Sequence, residues 1–114
     1  MTTLTAVLLD RAALREGDTL SIDETVDLGA YATLGVVLTV HEAGAGEAPT
    51  LVVEHAITNE EDAFVPFDPA IEIALDATGT ESAMKGQILR WLRWRIAGTL
   101  TGQATVSLAI LARG

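Results

Sequence analysis

Leu89-Arg90-Trp91-Leu92-Arg93-Trp94-Arg95-Ile96-Ala97-Gly98 is the run from which the class of this chain can be argued. Taken two residues at a time it separates cleanly. Leu92, Trp94 and Ile96 fall on one side, Trp91, Arg93 and Arg95 on the other. Alternate side chains of a strand point to opposite faces, so the run reads as a half-buried strand with an aromatic-aliphatic inner face and a basic outer face. A helical rival exists: Met84, Ile88, Trp91 and Arg95 sit at helical spacing, which would make Glu81 to Ile96 an amphipathic helix. Gly86 inside that span, the β-branched and aromatic content, and the strict alternation from Leu92 onward favour the strand.

Outward from the tryptophans the same period recurs. Leu34, Val36, Leu38 and Val40 share one face of Thr33 to His41. Leu51, Val53, His55 and Ile57 oppose Val52, Glu54, Ala56 and Thr58. Ala104, Val106, Leu108 and Ile110 alternate with Thr105, Ser107, Ala109 and Leu111. Shorter runs stand at Leu4 to Leu9, Thr19 to Asp23 with Val26 and Leu28 continuing it, Phe64 to Phe67, and Ile71, Ile73 and Leu75. Pro66 cannot donate to a ladder, which sends its strand to an edge or a bulge. Leu8 to Arg15 fits either a helical turn or two, stopped by Gly17, or a loop after an edge strand. Glu42 to Pro49 reads as a loop, suited to a hairpin or to a crossing between sheets, and Asn59-Glu60-Glu61-Asp62 and Thr78 to Ser82 as turns. About eight short alternating runs at near-regular spacing predict an all-β fold: one antiparallel β-sandwich domain over residues 1–114, jelly-roll-like. Its predicted core is Leu34, Val36, Leu38, Val40, Leu51, Val53, Leu92, Trp94, Ile96, Val106, Leu108 and Ile110.

The totals narrow the function classes. With 114 residues the chain suits one domain with one core. Aromatics are only 4% of it, so Val, Leu, Ile and Ala must build that core. No Cys is present, which removes disulfides and thiolate metal sites. A formal net charge of -9 opposes binding to nucleic acid and to anionic membranes. No window approaches the ~20 apolar residues of a membrane-spanning helix. Met1-Thr2-Thr3 lacks a basic leader, and Asp10, Arg11, Arg15 and Glu16 interrupt the early apolar run, so no cleaved signal peptide is expected.

The residues offer little for catalysis. His41 and His55 stand without a Gly-x-Ser-x-Gly stretch or a Cys nucleophile. Asn59 to Asp62 lacks the alternating spacing that wraps calcium, and Gly44-Ala45-Gly46 lacks the Lys-Ser/Thr of a phosphate cradle. No catalytic residue, cofactor or metal is predicted, and the chain is read as a non-enzyme. The distinctive feature is a basic cluster in an acidic chain: Lys85, Arg90, Arg93 and Arg95 hold four of the seven positive charges. Trp and Arg together suit an interface, where a ring buries area and a guanidinium pairs bidentately with a carboxylate. Trp91, Arg93, Arg95, Lys85, Arg90 and Phe64 are therefore the candidate interface residues, facing a second copy or another acidic protein. The same chemistry allows an internal alternative, with Arg93 and Arg95 paired across the sheet to Glu54, Glu72 or Asp76.

Arg90-Trp91-Leu92-Arg93-Trp94-Arg95-Ile96, then Gly98-Thr99 and Gly102, then the alternation from Ala104 to Leu111, resembles the closing hairpin of small β-sandwich structural proteins of tailed phages and prophages. Upstream, Val26-Asp27-Leu28-Gly29, the Leu34 to Val40 strand, Pro49 to Glu54 and Phe64 stand in the order such proteins show. The resemblance spans about residues 20–113, with His55 where an aliphatic residue is expected. It implies a non-enzymatic capsid-decoration or tail component, assembled in the bacterial cytoplasm onto a virion or phage-like particle. Its partners would be copies of itself and a major capsid or tail protein. A ligand-binding module of the same architecture, for carbohydrate with Trp91 as stacking platform, is the alternative.

Overall fold

The computed structural model describes residues 3–114; Met1 and Thr2, used in the leader reading, lie outside them. Eight strands run in order: β1 Thr3–Leu14, β2 Val26–Asp27, β3 Thr33–Glu42, β4 Ala45–Ala56, β5 Val65–Ala74, β6 Gly79–Lys85, β7 Trp91–Thr101 and β8 Ala104–Arg113. They form two four-stranded antiparallel sheets, ordered β1-β8-β3-β6 and β2-β7-β4-β5. Only β4 and β5 are consecutive and paired; every other connection crosses from one sheet to the other. Two such sheets in this order are a jelly roll. The tryptophan strand β7 lies inside its sheet, between β4 and an edge made of β2 and Thr19.

Alternation does most of the building. Leu34, Val36, Leu38 and Val40 of β3, Val106, Leu108 and Ile110 of β8, Leu51 and Val53 of β4, and Leu92, Trp94 and Ile96 of β7 all join the core between the sheets. Each residue expected there is buried. Phe67, Ile71 and Ile73 of β5, Leu9 and Leu14 of β1, Ala104 and Ala112 of β8, and Leu28, Leu75 and Leu100 from strand ends complete it. Gly98 explains one irregularity. It has φ +74, and a Cβ there would collide with the carbonyl of Ala48, where the β4–β7 register shifts between Glu47 and Thr50. Only a residue without a side chain lets the two backbones approach this closely.

Several local expectations need correction. Leu8 to Arg15 is neither helical nor a loop: β1 continues to Leu14. It absorbs the polar Asp10-Arg11 in register shifts against β8, with Arg11 at φ 48. Thr19 to Leu28 is not one strand. A 3-10 turn over Ile22–Glu24 interrupts it, held where Thr25 Oγ1 and Asn59 Nδ2 both donate to the Ile22 carbonyl. Phe64 to Leu75 holds a single edge strand, bulged between its pairings at Ile71 and Pro66; Pro66 thus sits both at an edge and beside a bulge. Thr78 to Ser82 is not a turn but mostly strand, because β6 is an edge whose pairing with β3 is backbone-driven and whose side chains stay exposed. The β7–β8 connection is not a hairpin but a crossing between sheets. Glu42 to Pro49 likewise crosses, with β4 already begun at Ala45.

Trp94 is 6% exposed and Trp91 half-buried. Trp94→Ala is therefore expected to destabilise the fold by roughly 3–5 kcal/mol, the cost of truncating a buried large aromatic, and Trp91→Ala by clearly less. Urea unfolding followed by circular dichroism checks this; equal losses would contradict the facing of β7.

Candidate functional site

The outer face of the β2-β7-β4-β5 sheet is built around a carboxylate. Glu54 of β4 stands directly opposite Arg93 of β7 and diagonally from Arg95, which is registered with Val52. Long side chains on these neighbouring positions reach one another. Arg93 Nε donates to Glu54 Oε1 at 3.0 Å, and Arg95 Nε to Oε2 at 2.9 Å. Arg93 Nη1 also donates to Glu61 Oε2 at 3.1 Å, from the turn after β4. The Arg93 guanidinium lies 4.4 Å from the centre of the Phe64 ring. Glu54 is only 3% exposed and Arg93 8%, because the 57–64 connection folds over them. Charges this far from water persist when paired and hydrogen-bonded, and both conditions are met.

The remaining candidates are engaged nearby. Arg90, exposed, makes a bidentate pair with Asp27 at 3.1 and 3.0 Å while lying 4.9 Å from the Trp91 ring centre. The Arg90 hydrogen bond, helped by the Gly29 N–H, holds the Asp27 carboxyl below its usual range; Asp27 in turn raises Arg90. Lys85 Nζ donates to the Pro69 carbonyl at 2.7 Å, tying the β6 edge of one sheet to the β5 edge of the other. The structure thus brings Arg93, Arg95 and Phe64 into one cluster and Arg90 and Trp91 into a second, with Lys85 apart. Phe64 and Arg93 are buried; Arg90, Arg95, Lys85 and Trp91 keep surface. The internal pairing with Glu54 is the one the molecule uses; Glu72 and Asp76 take no part in it.

The polar residues considered for chemistry also have partners. His55 stacks on Phe67 at 3.7 Å between ring centres, and its Nδ1 accepts the Leu89 N–H at 3.2 Å. Burial lowers its pKa below the ordinary 6.5. His41 Nε2 lies 2.8 Å from Ser107 Oγ, which also accepts the Arg11 N–H at the β1 bulge. In the acidic turn, Asn59 bonds Thr25 and Ile22, and Glu61 bonds Arg93. Among the described residues no group of three His, Asp or Glu side chains is placed to hold a metal ion, and no helix is long and apolar enough to cross a membrane.

The opposite outer face, on the β1-β8-β3-β6 sheet, is of another kind. Val7 is 63% exposed, Val37 45% and Met84 74%, around a shallow depression of about 440 Å³ between Gly35, Ala109 and Leu111. The sequence reasoning missed this face. Its signal was available at the outer positions of β3 and β8: Thr33, Gly35, Val37 and Thr39, and Ser107, Ala109 and Leu111, carry no carboxylate although the chain holds sixteen. In sequence, the chain matches no known family model and no curated protein.

Two outcomes follow from this geometry. Glu54→Ala leaves Arg93 buried without its main partner and is expected to cost about 3–5 kcal/mol in urea unfolding, whereas Glu61→Ala, at a largely exposed carboxylate, should cost at most ~1 kcal/mol. At His55 a folded-state pKa below the unfolded value means the unfolded chain takes the proton first, so stability is full above ~6.5 and falls as pH drops below it. Protonation would also remove the Nδ1 acceptor for Leu89. Urea midpoints should fall between pH ~7.5 and ~5.5, and His55→Gln, which accepts but does not titrate, should flatten that decline.

Proposed function

We propose that this chain is a non-enzymatic structural component of a phage or phage-like particle, a capsid decoration or tail-associated protein that works through protein–protein contacts. The observation that carries the reading is the exposed apolar patch around Gly35, Val37, Met84 and Leu111 on the β1-β8-β3-β6 sheet, which holds no carboxylate in a chain of net charge -9. None of the sixteen acids of the chain lines the patch, and an exposed apolar patch on a small domain marks a contact surface. The phage-protein resemblance over about residues 20–113 gives the setting. Two-sheet jelly rolls serve in viral capsid domains, although also in lectins, so architecture adds support without choosing between them. In this reading the chain assembles in the bacterial cytoplasm, joins copies of itself, and docks on a major capsid or tail protein. Arg90, Trp91 and Arg95 remain placed to meet acidic groups of such a partner.

A carbohydrate-binding module is the second reading. It draws on the depression lined by Asp27, Gly29, Ala30, Tyr31 and Arg90, which sets an aromatic beside polar groups, as small-ligand sites do. Against it, the Arg90 guanidinium already lies over Trp91, the ring that would stack on a sugar.

Particles purified from the source bacterium after prophage induction test the first reading. Mass spectrometry should find the chain among the structural proteins, in amounts comparable to theirs. Its absence from every such particle, together with glycan binding by the isolated protein that Trp91→Ala abolishes, would transfer the assignment to the second.

A further inference from the structure

The open face has an internal pattern. One row across the sheet reads Thr5, Leu111, Gly35, Met84, as β1, β8, β3 and β6 are registered. The next reads Val7, Ala109, Val37, Ser82. Small and large side chains alternate along each row, and the second row is offset from the first, so the two make a chequered relief. Such a relief complements itself. Half a turn about an axis in the plane of the face sets each large side chain over a small one. This holds for an axis along the strands between β8 and β3, and for one across them between the rows. Contacts between identical copies about a twofold axis demand this kind of self-complementary patch.

We infer that this face is an isologous interface, occupied by a second copy of the same chain. Charge supports that occupant. Two chains of -9 repel, and over these rows they meet without setting carboxylates against each other: the flanks bring in Arg113 with Thr3 and Thr33 on one side and Ser107, Thr39 and Thr80 on the other, with Asp10 and Glu42 only at the β1 bulge and the end of β3. Size sets the strength of the contact. Four strands ~4.8 Å apart, over the roughly seven residues that all four share, present about 450 Å² per copy, so about 900 Å² in total, the size of a weak, reversible contact. In the single chain Met84 leans over Gly35, where an added Cβ would lie 2.9 Å from its sulfur. An unbranched thioether can swing aside for an incoming side chain. The inference names the self-contact of the assembly reading and rests on that reading for its purpose.

Sedimentation velocity on the whole chain at ~100 µM, a concentration that populates weak specific interfaces, tests it. Twice the chain mass is expected, undiminished or increased when salt is raised, since salt screens the repulsion and leaves apolar contact in place. Val37→Glu and, separately, Met84→Glu should each weaken association on the order of 100-fold, by burying like charges across the axis. Both positions are exposed, and circular dichroism verifies the fold of each variant. Ile57→Glu, 71% exposed at the other sheet's hairpin, should leave association unchanged. A wild type that stays single at both salt levels overturns the inference, as does a dimer that survives both face variants or is lost equally in Ile57→Glu. A particle-bound chain that is single in solution would end this inference alone, and a dimer absent from all particles would end the phage reading alone.

Discussion

Glu54 held between Arg93 and Arg95 is the constraint on which the rest of the sandwich depends. A strand slipped by one residue turns its whole apolar set outward. In β4 the apolar residues on the inner face are flanked by Val52 and Ala56, which are also apolar, so hydrophobicity discriminates weakly between registers there. The carboxylate discriminates strongly. With Glu54 opposite Arg93 and diagonal to Arg95 it meets both guanidiniums, and a one-residue slip would turn it to the other face, away from both. Phe64 and Glu61 then close over the pair, so one side-chain set fixes both the pairing of the central strands and the path of the β4–β5 hairpin.

The two outer faces of the molecule consequently play different parts. One is sealed by its own ion network and the connection folded across it. The other is left as bare sheet, its central side chains short, neutral or apolar around Gly35 and Ala109. The same β-sheet alternation produces both, and the difference lies in which outward positions hold charge. Of the basic residues that stand out in the linear chain, Arg93 is buried against Glu54, while Arg90 and Arg95 pair internally and still keep surface.

Much of the architecture was legible in the sequence for a simple reason. Strands buried on one face alternate visibly, as Leu34 to Val40, Leu51 to Val53, Leu92 to Ile96 and Val106 to Ile110 do, and these supply the core. What escaped lacks that signature. β6 is an edge whose residues are mostly exposed on both faces, so Gly79 to Lys85 shows no apolar period. The end of β1 hides its strand behind the bulged Asp10-Arg11, where the period shifts. Sheet membership was beyond reach, since alternation says that a residue faces inward and not which strand it faces beside; hence the crossing between β7 and β8 read as a hairpin. The ion cluster was half visible: Glu54 stood among three acids that could answer Arg93, and only its register position distinguishes it from Glu72 and Asp76.

The position of β8 has a bearing on synthesis. It lies between β1 and β3 and pairs with both, yet among the strands it is the last to be made. Until Ala104 to Arg113 has left the ribosome, the first strand has no neighbour at all and β3 has only the edge strand β6. The sheet therefore cannot grow outward from the N-terminus as translation proceeds; it must wait and close late, around its final segment. Pairings this distant along the chain are slow to form, which leaves the apolar β1 and β3 dependent on their own solubility, or on a chaperone, while the chain is being completed.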